Sequence, residues 1–330
     1  MNNYLIKLIP QSPFFFGGEK TFGDGHNTNY FAKSSPFPQQ TSILGMLRKN
    51  LLIQHNIFKE NWDDYTEIDR TQRIPQLIGQ AFQMNIDNNF GKIKRLSPVF
   101  IANSSGFFMS EPKDNGFIYQ PKTGQCRLHC KKSYIPFLQS YNAKQGLPNG
   151  FMSSTNNDDI IAFDKVFKAF EKVGNAKERT EDDSEKFFKQ QFFTMINDYC
   201  FAFFAEFDCE LDNEAIVFIG ADNSTFKLQA EKTDDSFEKQ FITGKSHANK
   251  ITLLSNALID ESIYDDCEFA ITNPVDFRTI VMEEGRFKHK SNQKYSFLER
   301  GSVFFTENKP SLEKKLKNNQ LEKIGYNIFK

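Results

Sequence analysis

The chain has 330 residues, of which 39% are hydrophobic and 25% charged, a folded composition long enough for two domains of ordinary size. Its 41 Lys and Arg face 42 Asp and Glu, and a net charge of -1 excludes a protein that coats nucleic acid by bulk charge. The balance is uneven, because residues 1–150 carry 17 basic and 10 acidic side chains (net +7) and the remainder 24 and 32 (net -8), which points to an anionic partner on one side and a different contact on the other. No run approaches the ~20 apolar residues of a membrane helix, and the N-terminus lacks a basic segment followed by a long apolar one. Five Cys at irregular spacing form no disulfide framework, so a cytoplasmic location is expected. With 37 Phe and one Trp, the expected core is built on Phe in place of Leu and Val.

In chain order, the apolar run 4–9, closed by Pro10, reads as the first strand. A glycine- and polar-rich loop follows to Pro36. The first helix is expected to begin at Thr41 or Ser42, either of which caps free N–H groups, while Pro38 blocks backward extension. Ile43, Leu47 and Leu51 share its apolar face with Leu44 and Met46, and Arg48 and Lys49 point elsewhere. Residues 60 to about 175 hold strand-like runs such as 98–101 and turns at 114–116, 121–124 and 148–150. The spacing of Ile160, Phe163, Phe167 and Phe170 predicts a helix over 160–173, whereas 187–199 fits a helical face or a strand. A buried strand is expected at 201–207. The polar stretch 231–250 is the best domain boundary. Beyond it the pattern predicts a helix at 253–259, strands at 268–272 and 302–305, and a helix at 311–321. This mixed order, with short strands and no internal repeat, reads as α+β rather than a doubly wound parallel sheet.

Enzyme signatures are scarce. Cys126 and Cys130 flank His129, but no second Cys pair stands at ligand spacing, so no metal is expected. Gly-Gly-Glu-Lys-Thr at 17–21 lacks the phosphate-loop spacing, and no other cofactor motif occurs. His26, on a glycine loop, has the chemistry of a general base for RNA cleavage at the 2′-hydroxyl. The reading preferred here is a loop His that only hydrogen-bonds backbone or ligand. RNA binding has broader support. The loop offers Lys20, His26, Asn27, Asn29, Tyr30, Lys33 and Ser34, and the helix start at Thr41 and Ser42 presents N–H groups as a phosphate seat, with Arg48 less than two turns on. A capped helix after a polar loop explains the same residues equally well. The basic-Gly-aromatic-Gly-aromatic consensus of the common RNA recognition module is absent.

The run Phe37-Pro38-Gln39-Gln40-Thr41-Ser42-Ile43-Leu44-Gly45-Met46-Leu47-Arg48 resembles a segment of the repeat-associated (RAMP) proteins of CRISPR systems. Among these, the nearest resemblance is to the third-subunit family of type III-B Cmr complexes, in the Cas-five group. Val173 to Thr180 with Phe187-Phe188 resembles that family's hairpin, and Ile219-Gly220-Ala221-Asp222-Asn223-Ser224 its glycine turn. Arg300-Gly301-Ser302-Val303-Phe304-Phe305 resembles its Gly-Ser-aromatic strand, and Ile324-Gly325-Tyr326-Asn327 its terminal motif. In departure from the family, Gln39-Gln40 stand where many relatives carry Pro-Ser, and the glycine-rich loop is reduced.

The resemblance implies two ferredoxin-like domains, 1–232 with an insertion at about 60–175, and 233–330. It implies a non-catalytic subunit, without cofactor, that caps the repeat-derived 5′ handle of the crRNA in antiviral defence. The large polymerase-like Cmr subunit and a Cmr backbone subunit would be its neighbours in a hetero-oligomer, with target RNA met only indirectly. The candidate RNA contacts are His26, Asn27, Tyr30, Lys33, Ser34, Gln39, Gln40, Thr41, Ser42 and Arg48, joined by Lys177 and Arg179 on a thumb over 177–189. The alternative is a metal-independent endoribonuclease that processes repeat RNA, with His26 as base assisted by Lys33 or Tyr30.

Overall fold

In the computed structural model, β1 (Asn2–Pro10) buries Tyr4, Ile6 and Leu8 on one face and leaves Leu5, Lys7 and Ile9 half-buried on the other. This period-2 alternation is what one strand with one core face requires. The structure describes residues 1–17, 20–22, 30–84, 87–115, 117–121, 134–138, 146–156, 159–176, 186–220, 224–243, 249–259, 263–278, 280–283, 287–290 and 293–330. Two short strands follow β1, β2 (Lys20–Phe22) and β3 (Tyr30–Lys33), and then the helix α1 (Gln40–Gln54). Next come β4 (Ile93–Leu96), β5 (Phe100–Asn103), β6 (Gly106–Ser110), β7 (Phe151–Ser153) and β8 (Ile160–Ile161). A long ribbon of β9 (Phe167–Ala176) and β10 (Lys186–Met195) leads to β11 (Cys200–Phe207), β12 (Glu214–Phe218) and β13 (Thr225–Lys232).

The main sheet runs β8-β7-β6-β5-β11-β1-β13-β12, with β4 alongside β11, and all its pairings are antiparallel. One face packs on α1, whose Ile43, Leu44, Met46, Leu47 and Leu51 are buried as the helical spacing predicts. On the other face Phe100, Ala202 and Phe204 meet Phe237 and Phe241, which flank and occupy the helical turn Glu238–Ile242. Phe rings fill both faces, most densely on the α1 side. Phe14 lies 4.7 Å from Phe16, 5.4 Å from Phe201 and 5.7 Å from Phe226, ring centroid to centroid, so several Phe rings fill one volume.

Beyond β13 the strands Lys250–Thr252, Val303–Phe305 and Phe269–Ile271 form one small sheet, and Ala257–Leu258, Tyr295–Leu298 and Pro274–Phe277 another. The molecule is thus a mixed α+β fold of several sheets with few helices. Three expectations are corrected. Residues 160–173 are not a helix: a single turn at Phe163–Val166 gives way to β9, because Phe163 and Phe167 meet Phe193 across the ribbon while Phe170 stays 52% exposed. Residues 253–259 hold no helix, since Ala257–Leu258 pairs in a sheet. The helix expected at 311–321 is two, Lys309–Leu316 and Asn319–Glu322, each opened by an Asn side chain that accepts an N–H from its own first turn. Among the described residues, no helix is long and apolar enough to cross a membrane.

Candidate nucleic-acid interface

The approach to α1 is held from below. Ser34 is buried, its hydroxyl accepting from Phe16 N at 3.0 Å, and its own N–H donates to Gln191 O at 2.9 Å. Phe37 lies 4.0 Å beneath the Arg300 guanidinium, which also donates to Val99 O at 2.8 Å. Burial pushes that guanidinium down to about 10. Neither Thr41 nor Ser42 caps the helix. Gln39 takes the cap position, and its carbonyl accepts from Ser42 N at 2.9 Å and Ile43 N at 3.1 Å.

The first turn of α1 is closed off by the C-terminal segment. Gln40 is 1% exposed, and its amide nitrogen donates to Ser97 O at 2.8 Å and Ile324 O at 2.7 Å. Tyr326 is buried beside Gln40 and Thr41. Burial pushes its hydroxyl up to about 12, against the opposing pull of the Thr41 hydroxyl and of the Thr41 and Gln40 N–H groups. The expected phosphate seat at this helix end is therefore partly stoppered by the protein's own side chains. Arg48 is likewise engaged, donating to Gln80 O and lying 5.5 Å over the Phe90 ring, and desolvation lowers it to about 10. Gln40 and Arg48, expected as RNA contacts, serve as internal ties.

An open face lies beside this entry. β9, β10, β3 and β2 form a four-stranded sheet in that order, with β10 and β3 parallel. Its register sets Lys189 opposite Phe31 and Gln191 opposite Lys33, with Val173 and Glu171 on the neighbouring strand. Residues directly opposite share a face, so these six side chains line one side. The other side buries Phe15, Ala32 and Phe192. Lys33 and Lys189 stand 5.5 Å and 5.0 Å over the Phe31 ring, and Lys189 also pairs with Glu171 at 2.8 Å. Two ammonium groups flanking a half-buried aromatic ring supply phosphate attraction and a stacking surface together. Lys168 and Lys172, exposed on β9, alternate with Glu171 and Val173 and so belong to the other side of the sheet.

Of the residues expected from sequence, Lys33 and Gln39 are exposed, Thr41 and Ser42 are half-buried, and Ser34 and Gln40 are buried. Tyr30 belongs to β3. His26, Asn27, Lys177 and Arg179 lie outside the described residues, as do Cys126, His129 and Cys130. Sequence reasoning missed Phe31. The signal was available in the alternation of Phe31 and Lys33 in one short strand, but its partner Lys189 lies far along the chain. Among the described residues, no group of three or more His, Cys, Asp or Glu is placed to hold a metal.

Comparison with known proteins gives one family and one fold. The profile of a family of CRISPR-associated proteins, Cas_Cmr3, matches residues 6–329. Among curated proteins none matches at a significant level. A chain of the Type III-B Cmr-beta bound to cognate target RNA, solved by cryo-EM, superposes with a TM-score of 0.53 at 13% identity, covering 99% of this chain and 96% of that one. In a second such structure, bound to cognate target RNA and AMPPnP (state 1), the TM-score is 0.54 at 14% identity, covering 98% and 94%.

Proposed function

This chain belongs to the CRISPR-associated Cmr3 family, and from that premise we propose that it is a non-catalytic, RNA-binding subunit of a type III-B effector complex. In this reading it caps the repeat-derived 5′ handle of the crRNA and bridges the large polymerase-like subunit to a backbone subunit in the cytoplasm. In the same reading its two parts, 1–232 and 233–330, are ferredoxin-like domains packed on a shared core, and target RNA meets it only through the crRNA. The observation that carries the RNA contact is the face of β3 and β10, where Lys33 and Lys189 flank Phe31. In this reading Gln39, Thr41 and Ser42 at the start of α1 add contacts, as do Lys177 and Arg179, which follow β9 in the sequence. A handle of single-stranded RNA fits this arrangement, because splayed bases stack on aromatic rings while cations follow the backbone.

The test is incubation of the purified full chain with repeat RNA in EDTA. Tight binding of the handle sequence without cleavage is the expected result. Metal-independent cleavage that His26→Ala abolishes would overturn it in favour of the endoribonuclease.

A further inference from the structure

β12 is the last strand of the main sheet, and the register of its single pairing shows which way its backbone faces. Ile219 N donates to Ser224 O at 3.1 Å, and Ala230 N to Asn213 O at 2.8 Å. In an antiparallel ladder, hydrogen-bonded residues alternate with residues whose N–H and C=O point away. Residues 213, 215, 217 and 219 therefore bond β13, while Glu214, Ile216 and Phe218 direct their peptide groups at the open edge. Among the described residues the structure gives those groups no backbone partner. The same residues carry the exposed side chains: Ile216 is 59% and Phe218 49% exposed, whereas Val217 is buried. An edge uncovered among the described residues, with Ile216 and Phe218 beside one charged Glu214, has little of the usual protection of sheet edges by charge, Pro or a bulge.

The surroundings narrow what covers it. Lys49 of α1 places its ammonium 5.0 Å from the Phe58 ring and 5.7 Å from the Phe218 ring, so a cation of the helix reaches the end of the edge strand. Glu214 is paired with Lys227 at 2.8 Å and accepts from Gln229 Nε2 at 2.9 Å. Lys49 forms no ion pair among the described residues, and it leaves one positive charge at the rim of an apolar edge.

We propose that β12 is a docking edge for an extended strand of a neighbouring protein subunit, one with apolar residues at alternate positions and a carboxylate opposite Lys49. Backbone pairing supplies the affinity, and Ile216, Phe218 and Lys49 choose the sequence. The inference rests on the assembly reading above only in that a partner subunit provides the strand. An RNA occupant is disfavoured, because phosphates need several free cations, whereas here Lys227 is held by Glu214 and Lys49 stands alone among the described residues of the strip.

The experiment uses the effector complex purified from its native host, with a photo-reactive p-benzoylphenylalanine replacing Ile216. A cross-link to one extended segment of another subunit is the expected result. Cross-linking only to RNA, only to a second copy of this chain, or to nothing in a complex of full composition overturns the proposal. Ile216→Pro provides the second arm, because it removes an outward N–H and no bond of the β12–β13 ladder. We expect it to weaken retention of the cross-linked subunit about tenfold or more, and Ile216→Thr, which keeps the N–H, to weaken it less. Retention unchanged in a folded Ile216→Pro variant overturns the proposal. Handle RNA affinity, measured on the same proteins, stays at the wild-type value, so failure of this edge and failure of the RNA reading are distinguishable.

Discussion

At the scale of single residues, the terminal Gly-Tyr-Asn turns out to be architecture. Gly325 has φ +84°, and a Cβ there would lie 2.0 Å from Gln40 Nε2 and 2.5 Å from Ser97 O. Both the backbone conformation and the close approach demand glycine. Gly325→Ala is expected to lower stability by about 2–4 kcal/mol in denaturant unfolding, because it breaks into the Gln40 bonds as well as straining the turn. Asn327 next to it is buried, donating to Leu258 O at 2.7 Å and Leu316 O at 2.8 Å. Cys200 offers a pH test. Burial raises its thiol from 9.0 to about 11. The unfolded chain then releases its proton first as pH rises. The contribution is complete below pH 9 and is lost by about 11, a fall on the order of 2 kcal/mol. Unfolding curves at pH 8, 10 and 11 should show this loss, and Cys200→Ala should reduce it.

At the scale of elements, α1 was readable because its five apolar positions repeat at helical spacing and all are buried. The ribbon was not. Phe163, Phe167 and Phe170 repeat at a spacing that a helix also satisfies, and only the partner strand shows that Phe167 lies opposite Met195 and Phe170 opposite Phe192. The candidate interface was lost for the same reason. Lys33 is evident as a loop-end cation, but its work with Phe31 depends on β10 arriving in parallel beside β3. Phe31→Ala is expected to cost about 1–3 kcal/mol of single-stranded RNA affinity. Lys33→Ala combined with Lys189→Ala should flatten the salt dependence by about 1.4 in logarithmic slope, two phosphate contacts' worth. Fluorescence anisotropy across a salt series measures both. Unchanged affinity and slope would remove this face from the interface.

At the scale of the whole molecule, the core does not respect the polar stretch 231–250. Leu258, Phe277, Phe297, Leu321, Ile324 and Tyr326 belong to the same buried cluster as Tyr4, Ile6 and the apolar face of α1. Ion pairs reinforce the join, Lys113 with Glu299 at 2.8 Å and buried Asp114 with Lys250 at 2.6 Å. A fragment ending at residue 232 is therefore expected to expose this cluster and fail to fold, giving broad thermal unfolding and rapid proteolysis where the full chain gives one transition. A sharp transition in the fragment would contradict this. The charge polarity along the chain, the first strand, α1 and the ordered set of family motifs were determined by the sequence alone, because each is a local pattern whose meaning does not depend on a distant partner. Which polar residues remain available to a ligand was decided only by the tertiary structure. Gln40 and Arg48 look like free contacts in the chain, and they are occupied because Ser97, Ile324, Gln80 and Phe90 fold back onto them. Hydrogen bonds and ring contacts between residues far apart in sequence leave no periodic trace, so burial of a polar side chain is set by packing rather than by its neighbours in the chain.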